Sequence, residues 1–430
     1  MKMANMDDYF DVVIVGTGAA GLYCALNLPA RYRILLLTKQ KADESDSFLA
    51  QGGICMQHGE ADYRPFFDDT MRAGHYENNP ATVDLMIRSS NSIIRDLVRR
   101  GVRFARDDHG ALRFTREGAH SRPRILFHED ITGHEITQTL LNEVLRCENI
   151  ELREHTTLLD FFADASACGG VIAAGPDGEP RAIGAGAVVL ACGGIGGLYK
   201  NSTNFPHITG DAIAMALRHG VACEHLDYIQ IHPTTLYSHR KGRRFLISES
   251  VRGELLLDKN GNRFTNELQP RDVVSAAIRA QMEKDGTDHV WEDMRPIGEA
   301  AIREHFPNIL ERCEEEGYDP IHEPIPVVPA QHYFMGGITA DLSSRTALPR
   351  LYACGETCCN GVHGRNRLAS NSLLESLVFA QRAADDILYG EPPVFTGDKP
   401  DLAPYREQEP LFAAYRQEVL TAIERSKNHE

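Results

Sequence analysis

The chain has 430 residues, 42% of them hydrophobic and 25% charged, enough for two or three structural units around a sizeable core. No apolar run approaches the roughly 18 residues that suggest a membrane span. A net charge of -16 leaves none of the general basic surface that nucleic acids or anionic membranes require, so an anionic ligand must meet a locally basic site.

The first residues, "MKMANMDDYF", lack the basic segment, long apolar core and small-residue cleavage site of a signal peptide, which favours a cytoplasmic location. Residues 10 to 15, "FDVVIV", predict a short buried strand. "GTGAAG" (Gly16 to Gly21) follows at once and leads through "LYCALNL", a helical pattern, to a second strand, "RILLLTK". In that order the glycines permit a tight turn and let a pyrophosphate approach the amides at the helix start. Thr38-Lys39 stands where an acid would bind a ribose hydroxyl, which makes Lys39 a candidate phosphate contact. "SDSFLAQGGI" (45 to 54) is too polar and glycine-rich for core, and Gln51-Gly52-Gly53 is expected to pass backbone close to a ligand.

Residues 80 to 100 read as an amphipathic helix ended by Gly101, and residues 133 to 146 as another. "AVVLACGGIGGLY" (187 to 199) is a buried strand running into glycines. From 226 to 333 the character changes to that of an inserted domain, with a hairpin at "ELLLDKNGNRF" turning on Asn260-Gly261, helical stretches and "PIPVVPAQHY". Glycine-rich strand and turn character returns at 336 to 390 and ends in a strong helix. Residues 391 to 430 hold a proline-rich linker and one further helix. The ten cysteines form no CxxC pair, and Cys354, Cys358 and Cys359 have no ligand-spaced partner, so reduced thiols and no metal are expected.

In "HGRNRLASNSLLES" (363 to 376), Ser372-x-x-Glu375 has capping-box spacing. Free amides at such a helix start suit a phosphate or an electron-rich ring, and Arg367, one turn earlier, could grip a carboxylate bidentately. "QIHPTTL", "SESVRGEL", "QPRDVV" and "QHYFMGG" each place a His or Arg beside Pro or Gly. Together they suggest a clamp for a small dianion.

These motifs, with "TGDAIAMA", "HPT", "RGE" and "GE" at 355 to 356, stand in an order that resembles the flavoproteins of succinate dehydrogenase, fumarate reductase and L-aspartate oxidase, over residues 10 to 388. The resemblance implies an α/β fold: a Rossmann-like FAD-binding domain (1–225 and 334–390), an inserted α+β capping domain (226–333), and a short C-terminal helical tail (391–430). Where the membrane-complex members attach FAD covalently through a His five residues before the Gln of "AQGG", this chain has Asp46, so FAD is expected to be non-covalent. "TREGAHSRPRIL" (115 to 126) resembles the soluble L-aspartate oxidases further, and Glu117 would orient the substrate amino group. A soluble fumarate reductase or succinate-oxidising flavoprotein is the competing reading.

By family match, FAD would contact Gly16, Thr17, Gly18, Ala19, Ala20 and Gly21, then Lys39, Ser47, Phe48, Ala50, Gln51, Gly52 and Gly53. Asp211, Glu356, Ser372 and Leu373 would complete its site. The substrate carboxylates would be held by Gln230, His232, Ser248, His332 and Arg367. Arg271 matches the family's proton donor or acceptor, with Glu249 and Arg252 beside it. The expected reaction takes L-aspartate to iminoaspartate, with O2 or fumarate as acceptor, at the start of NAD synthesis through quinolinate. Functional coupling to quinolinate synthase is expected; nucleic acid and membrane are not.

Overall fold

The apolar run beginning at Tyr9 forms the strand Tyr9–Val15, which lies parallel between Ile34–Leu37 and Pro180–Leu190. The computed structural model describes residues 8–238, 245, 247, 254–267, 269–390 and 395–428. The strand belongs to a seven-stranded sheet ordered Ile150–Arg153, Ile34–Leu37, Tyr9–Val15, Pro180–Leu190, Cys168–Ala174, Thr157–Ala163, with Leu351–Ala353 also paired parallel to Pro180–Leu190. All four residues of "ILLL" (34 to 37) are fully buried, as expected where helices cover both faces. Ala19–Asn27, Pro80–Arg100, Thr132–Val144 and Asn371–Tyr389 share one core with the sheet; Asp211–Arg218 and Gln408–Lys427 share the other. This is a doubly wound α/β arrangement.

The helix expected at 80 to 100 runs from Pro80 to Arg100. The Asn79 side chain accepts from the Ala81 amide at 3.0 Å at its start, and Gly101, at φ +104°, ends it.

A second sheet, ordered Ile229–Leu236, Ile325–Phe334, Val290–Asp293, Leu255–Leu257, is wholly antiparallel. It packs with Arg271–Asp285, Glu299–His305 and Pro307–Glu315 around a separate core that includes Leu236, Leu256, Ile278, Ile302 and Val327. The hairpin turn is wider than Asn260-Gly261 alone. Leu257 bridges Arg263, and the Asp258 carboxylate accepts from the Asn260 and Asn262 amides at 2.8 and 2.9 Å. One link between the two units is Asp130, whose carboxylate accepts from the Asn308 side chain and from the Asn308 and Ile309 amides at the start of Pro307–Glu315.

Candidate active site

The parallel strands end at one level: Val15 lies opposite Leu37 and Leu190, and Leu190 opposite Ala353. Gly16, Thr38, Ala191 and Cys354, each one residue beyond a strand end, line a cavity of about 440 Å³, a volume typical of a small-molecule site. Gly16 has φ +115°, and a Cβ there would sit 2.0 Å from the Ala191 carbonyl oxygen. Only glycine allows the chain to turn there. Thr17, Gly18 and Ala20 line the cavity beside it. Gly21 and Ala19, also expected at the cofactor, make contacts within the fold. A Cβ on Gly21 would meet the Gly16 carbonyl oxygen at 2.0 Å, so Gly21 packs the helix onto the strand, while the Ala19 amide donates to Ser47 Oγ at 3.0 Å.

Lys39 and Asp211, both expected at the cofactor, line the cavity and pair with each other: Nζ to Oδ2 is 2.7 Å, and Nζ also donates to the His207 carbonyl at 3.1 Å. Ser47, Phe48, Ala50, Gln51, Gly52 and Gly53 lie along the same wall. Ser45 Oγ and Gln51 Oε1 also belong to this wall, buried and without a hydrogen-bond partner among the described residues. Orphaned polar atoms, a glycine turn and helix-start amides together fit an elongated dinucleotide such as FAD. Glu356 accepts from the Phe334 amide at 2.9 Å, and burial, then the nearby Asp46, pushes its carboxyl up to about 8.

Ser372 and Leu373 reach the cavity from the first turn of Asn371–Tyr389. The capping box expected at Ser372 and Glu375 is not formed. Ser370, at φ +62°, is the N-cap, and Glu375 is buried, accepting instead from Asn360 Nδ2. The spacing matched, but the helix begins earlier than it implies.

Arg367 is 5% exposed, with its guanidinium 4.5 Å from the Tyr333 ring centre and Nη1 donating to Ser372 Oγ at 3.2 Å. His332 and His232 stand with ring centres 5.2 Å apart. Burial first, then Arg271, His232 and Arg367, drives His332 well below the usual histidine range, so it stays neutral. Thr203 Oγ1 lies 2.8 Å from its Nδ1. Arg271 opens the helix Arg271–Asp285, a position where the helix dipole disfavours a cation, and faces the cavity. Gln230, expected as a substrate ligand, joins the two arginines in this structure. Its Oε1 accepts from Arg271 Nη1 at 2.7 Å, its Nε2 donates to Asn366 Oδ1 and the Arg367 carbonyl, and it does not line the cavity. Ser248, Glu249 and Arg252 lie outside the described residues.

Glu117 is buried at the cavity wall, with Oε2 accepting from Ser370 Oγ at 2.8 Å. A Cβ on Gly52 would lie 2.4 Å from Glu117 Oε1, so the bare glycine makes room for the carboxylate. Ser370, Thr203 and Ser45 also line this cavity and were not singled out from the sequence. Ser370 stood within a quoted motif, but nothing local marks its contact with a residue 253 positions away. Arg365, in contrast, points outward, 45% exposed, over Tyr228 and 3.8 Å from Glu77.

The chain matches the family model "FAD binding domain" over residues 11–373. It is 48% identical to the L-aspartate oxidase of Clostridium perfringens, over 88% of this chain and 86% of that protein. It is 44% identical to that of Nostoc sp., over 97% and 76%. Among solved structures, the E. coli quinol fumarate reductase FrdA is 30% identical with a TM-score of 0.83, covering 95% of this chain and 74% of that one. A quinol-fumarate reductase with menaquinol molecules is 32% identical with a TM-score of 0.85. Matched along nearly its whole length by such relatives, the chain belongs to the L-aspartate oxidase family and carries an FAD-binding domain.

Proposed function

We propose that this protein oxidises L-aspartate to iminoaspartate, using non-covalently held FAD. The observation that carries this reading is charge matching. Arg271 and Arg367, beside the neutral His332 and together with His232, suit the two carboxylates of the substrate, while Glu117 offers one negative charge for its ammonium. Succinate and fumarate have no donor for Glu117.

When bound, FAD would supply the acceptor for the hydride lost from Cα, with O2 or fumarate as the final acceptor, while the other hydrogen leaves nitrogen as a proton. Residues of this chain do the rest. Arg367, held flat on Tyr333, anchors one carboxylate; His232 and His332 hold the other; Glu117 accepts from the ammonium. Arg271 is assigned the proton transfer at the substrate. An arginine is a poor base in water, where its pKa exceeds about 12, so this role requires water to be excluded around the guanidinium that Gln230 fixes in place. The imine hydrolyses readily in water, which favours functional coupling to quinolinate synthase as its consumer.

The test is to purify the protein, release and identify its yellow cofactor, and compare peroxide formation with L-aspartate and with succinate. Peroxide formed from succinate but not from L-aspartate would replace this reading with the fumarate reductase one. Glu117→Gln should weaken L-aspartate oxidation far more than fumarate reduction; equal loss of both would remove the amino-group role.

A further inference from the structure

Glu117 sits at one end of a tight turn whose other end is His120. Ala119 within it is at φ +64°, and the His120 amide donates back to the Glu117 carbonyl at 3.4 Å. Both ends of the turn grip the same peptide of the "RLASN" loop. Ser370 Oγ donates to Glu117 Oε2 at 2.8 Å, and His120 Nε2 lies 3.0 Å from the carbonyl of Ala369, one residue earlier. The His120 tautomer follows from its other partner. Arg124 Nη1, 2.8 Å from His120 Nδ1, can only donate, so Nδ1 accepts and the proton resides on Nε2, which donates to Ala369. Burial keeps the ring neutral, lowering its pKa to about 4.

Behind His120 the turn is anchored. The Arg124 side chain is fully buried and bridges Asp62 at 3.0 Å and Asp69 at 2.8 Å, and the Ser121 amide and hydroxyl both donate to Asp69. Ser370 is itself in a backbone region that costs a non-glycine residue of order 1 kcal/mol or more. It is retained there by the Glu117 contact and by the Cys55 amide, which donates to the Ser370 carbonyl at 3.0 Å.

We propose that Ser370 and His120 are positioning residues that, by holding Glu117 Oε2, set where the Glu117 carboxylate stands at the cavity wall, so that the pair sets the preference for amino-bearing over unaminated dicarboxylates. The inference rests on the reading of L-aspartate as substrate. Neither residue needs to touch the substrate.

The test compares Ser370→Ala, which removes the hydroxyl and keeps the strained backbone, with Ser370→Gly, which removes both. Both are made in the FAD-loaded protein, and KM and kcat for L-aspartate are measured beside the inhibition constant of succinate. The expected result is the same in both variants: KM for L-aspartate rises about tenfold, the loss expected of one hydrogen bond to a charged group, while the inhibition constant of succinate moves less than about twofold. His120→Gln, whose amide can still donate to Ala369, should retain more of the discrimination than His120→Leu. Equal weakening for both ligands, a His120→Gln protein no better than His120→Leu, or a Ser370→Gly protein that binds like the parent would overturn the proposal. Parent protein that oxidises succinate but not L-aspartate would instead overturn the functional reading on which it rests, and the two failures are separable in one data set.

Discussion

Arg271 does not approach the cavity alone: its Nη1 donates to Gln230 Oε1 at 2.7 Å, and the nitrogen of that same amide donates to the carbonyl of Arg367 at 2.9 Å. A single glutamine therefore ties the proposed proton-transfer group to the backbone of the proposed carboxylate anchor. Gln230→Ala should keep its cofactor and lower kcat by about tenfold or more, since positioning a charged group within a site carries effects of that order. Flavin content and steady-state turnover together check this. Unchanged kcat would show that Arg271 finds its place without the amide.

Arg271→Leu should retain FAD and lose nearly all turnover, because the substitution leaves the glycine turn and the wall around Gln51 intact while removing the group assigned to the proton. Stopped-flow reduction by L-aspartate isolates that step from reoxidation. A variant reduced at the parent rate would return Arg271 to a binding role.

Lys39 and Asp211 neutralise each other at 2.7 Å beside the expected cofactor. In Lys39→Met the acid is left facing a group that carries phosphates, so FAD affinity should fall by about tenfold or more, on the scale of one charge contact in a partly exposed site. The double variant Lys39→Met with Asp211→Asn should recover part of the loss. Affinity measured by flavin fluorescence during reconstitution distinguishes this from a direct Lys39–phosphate contact, for which the double variant would bind as poorly as the single one.

Glu375 is fully buried, and burial pushes its carboxyl up to about 7 despite the Asn360 donor. An unfolded glutamate titrates near 4.3, so the folded state binds more protons between the two values. The stability this group confers is therefore complete below the lower value and is lost as pH rises through about 7. Glu375→Gln, which keeps the shape and removes the titration, should flatten the decline of Tm between roughly pH 5 and 8. An equally steep decline in the variant would place its origin elsewhere.

What the sequence revealed was what local chemistry determines. The strand, glycine turn and helix at 9 to 27 are specified by neighbours a few residues apart, and the long helix from Pro80 carries its own cap and stop. Family likeness also supplied Arg367, His232 and His332, which the fold brings to one cavity. What it did not reveal shares a cause. Ser372 and Glu375 have the right interval, yet the left-handed Ser370 moves the helix start, and Glu375 is drawn inward by Asn360. The partners of Gln230, expected at the substrate from "QIHPTTL", are likewise distant in sequence: its amide meets Arg271, Asn366 and Arg367. The hold of His120 and Ser370 on Glu117 depends on residues some 250 positions apart, and no spacing rule encodes it.

The space under Gly52 has a consequence for the order in which substrate preference could change. A methyl group there would fall 2.4 Å from Glu117 Oε1, so Gly52→Ala is obstructed while the glutamate remains. Shortening residue 117 first removes that clash, leaving Ser370 Oγ, at 3.4 Å, in ordinary contact with the new methyl group. The route away from amino-acid chemistry thus has an open first step at 117, and each later change at 52 blocks the way back. Reversal would require the glycine to be restored before the carboxylate, an asymmetry that makes loss of this specificity easier than its recovery.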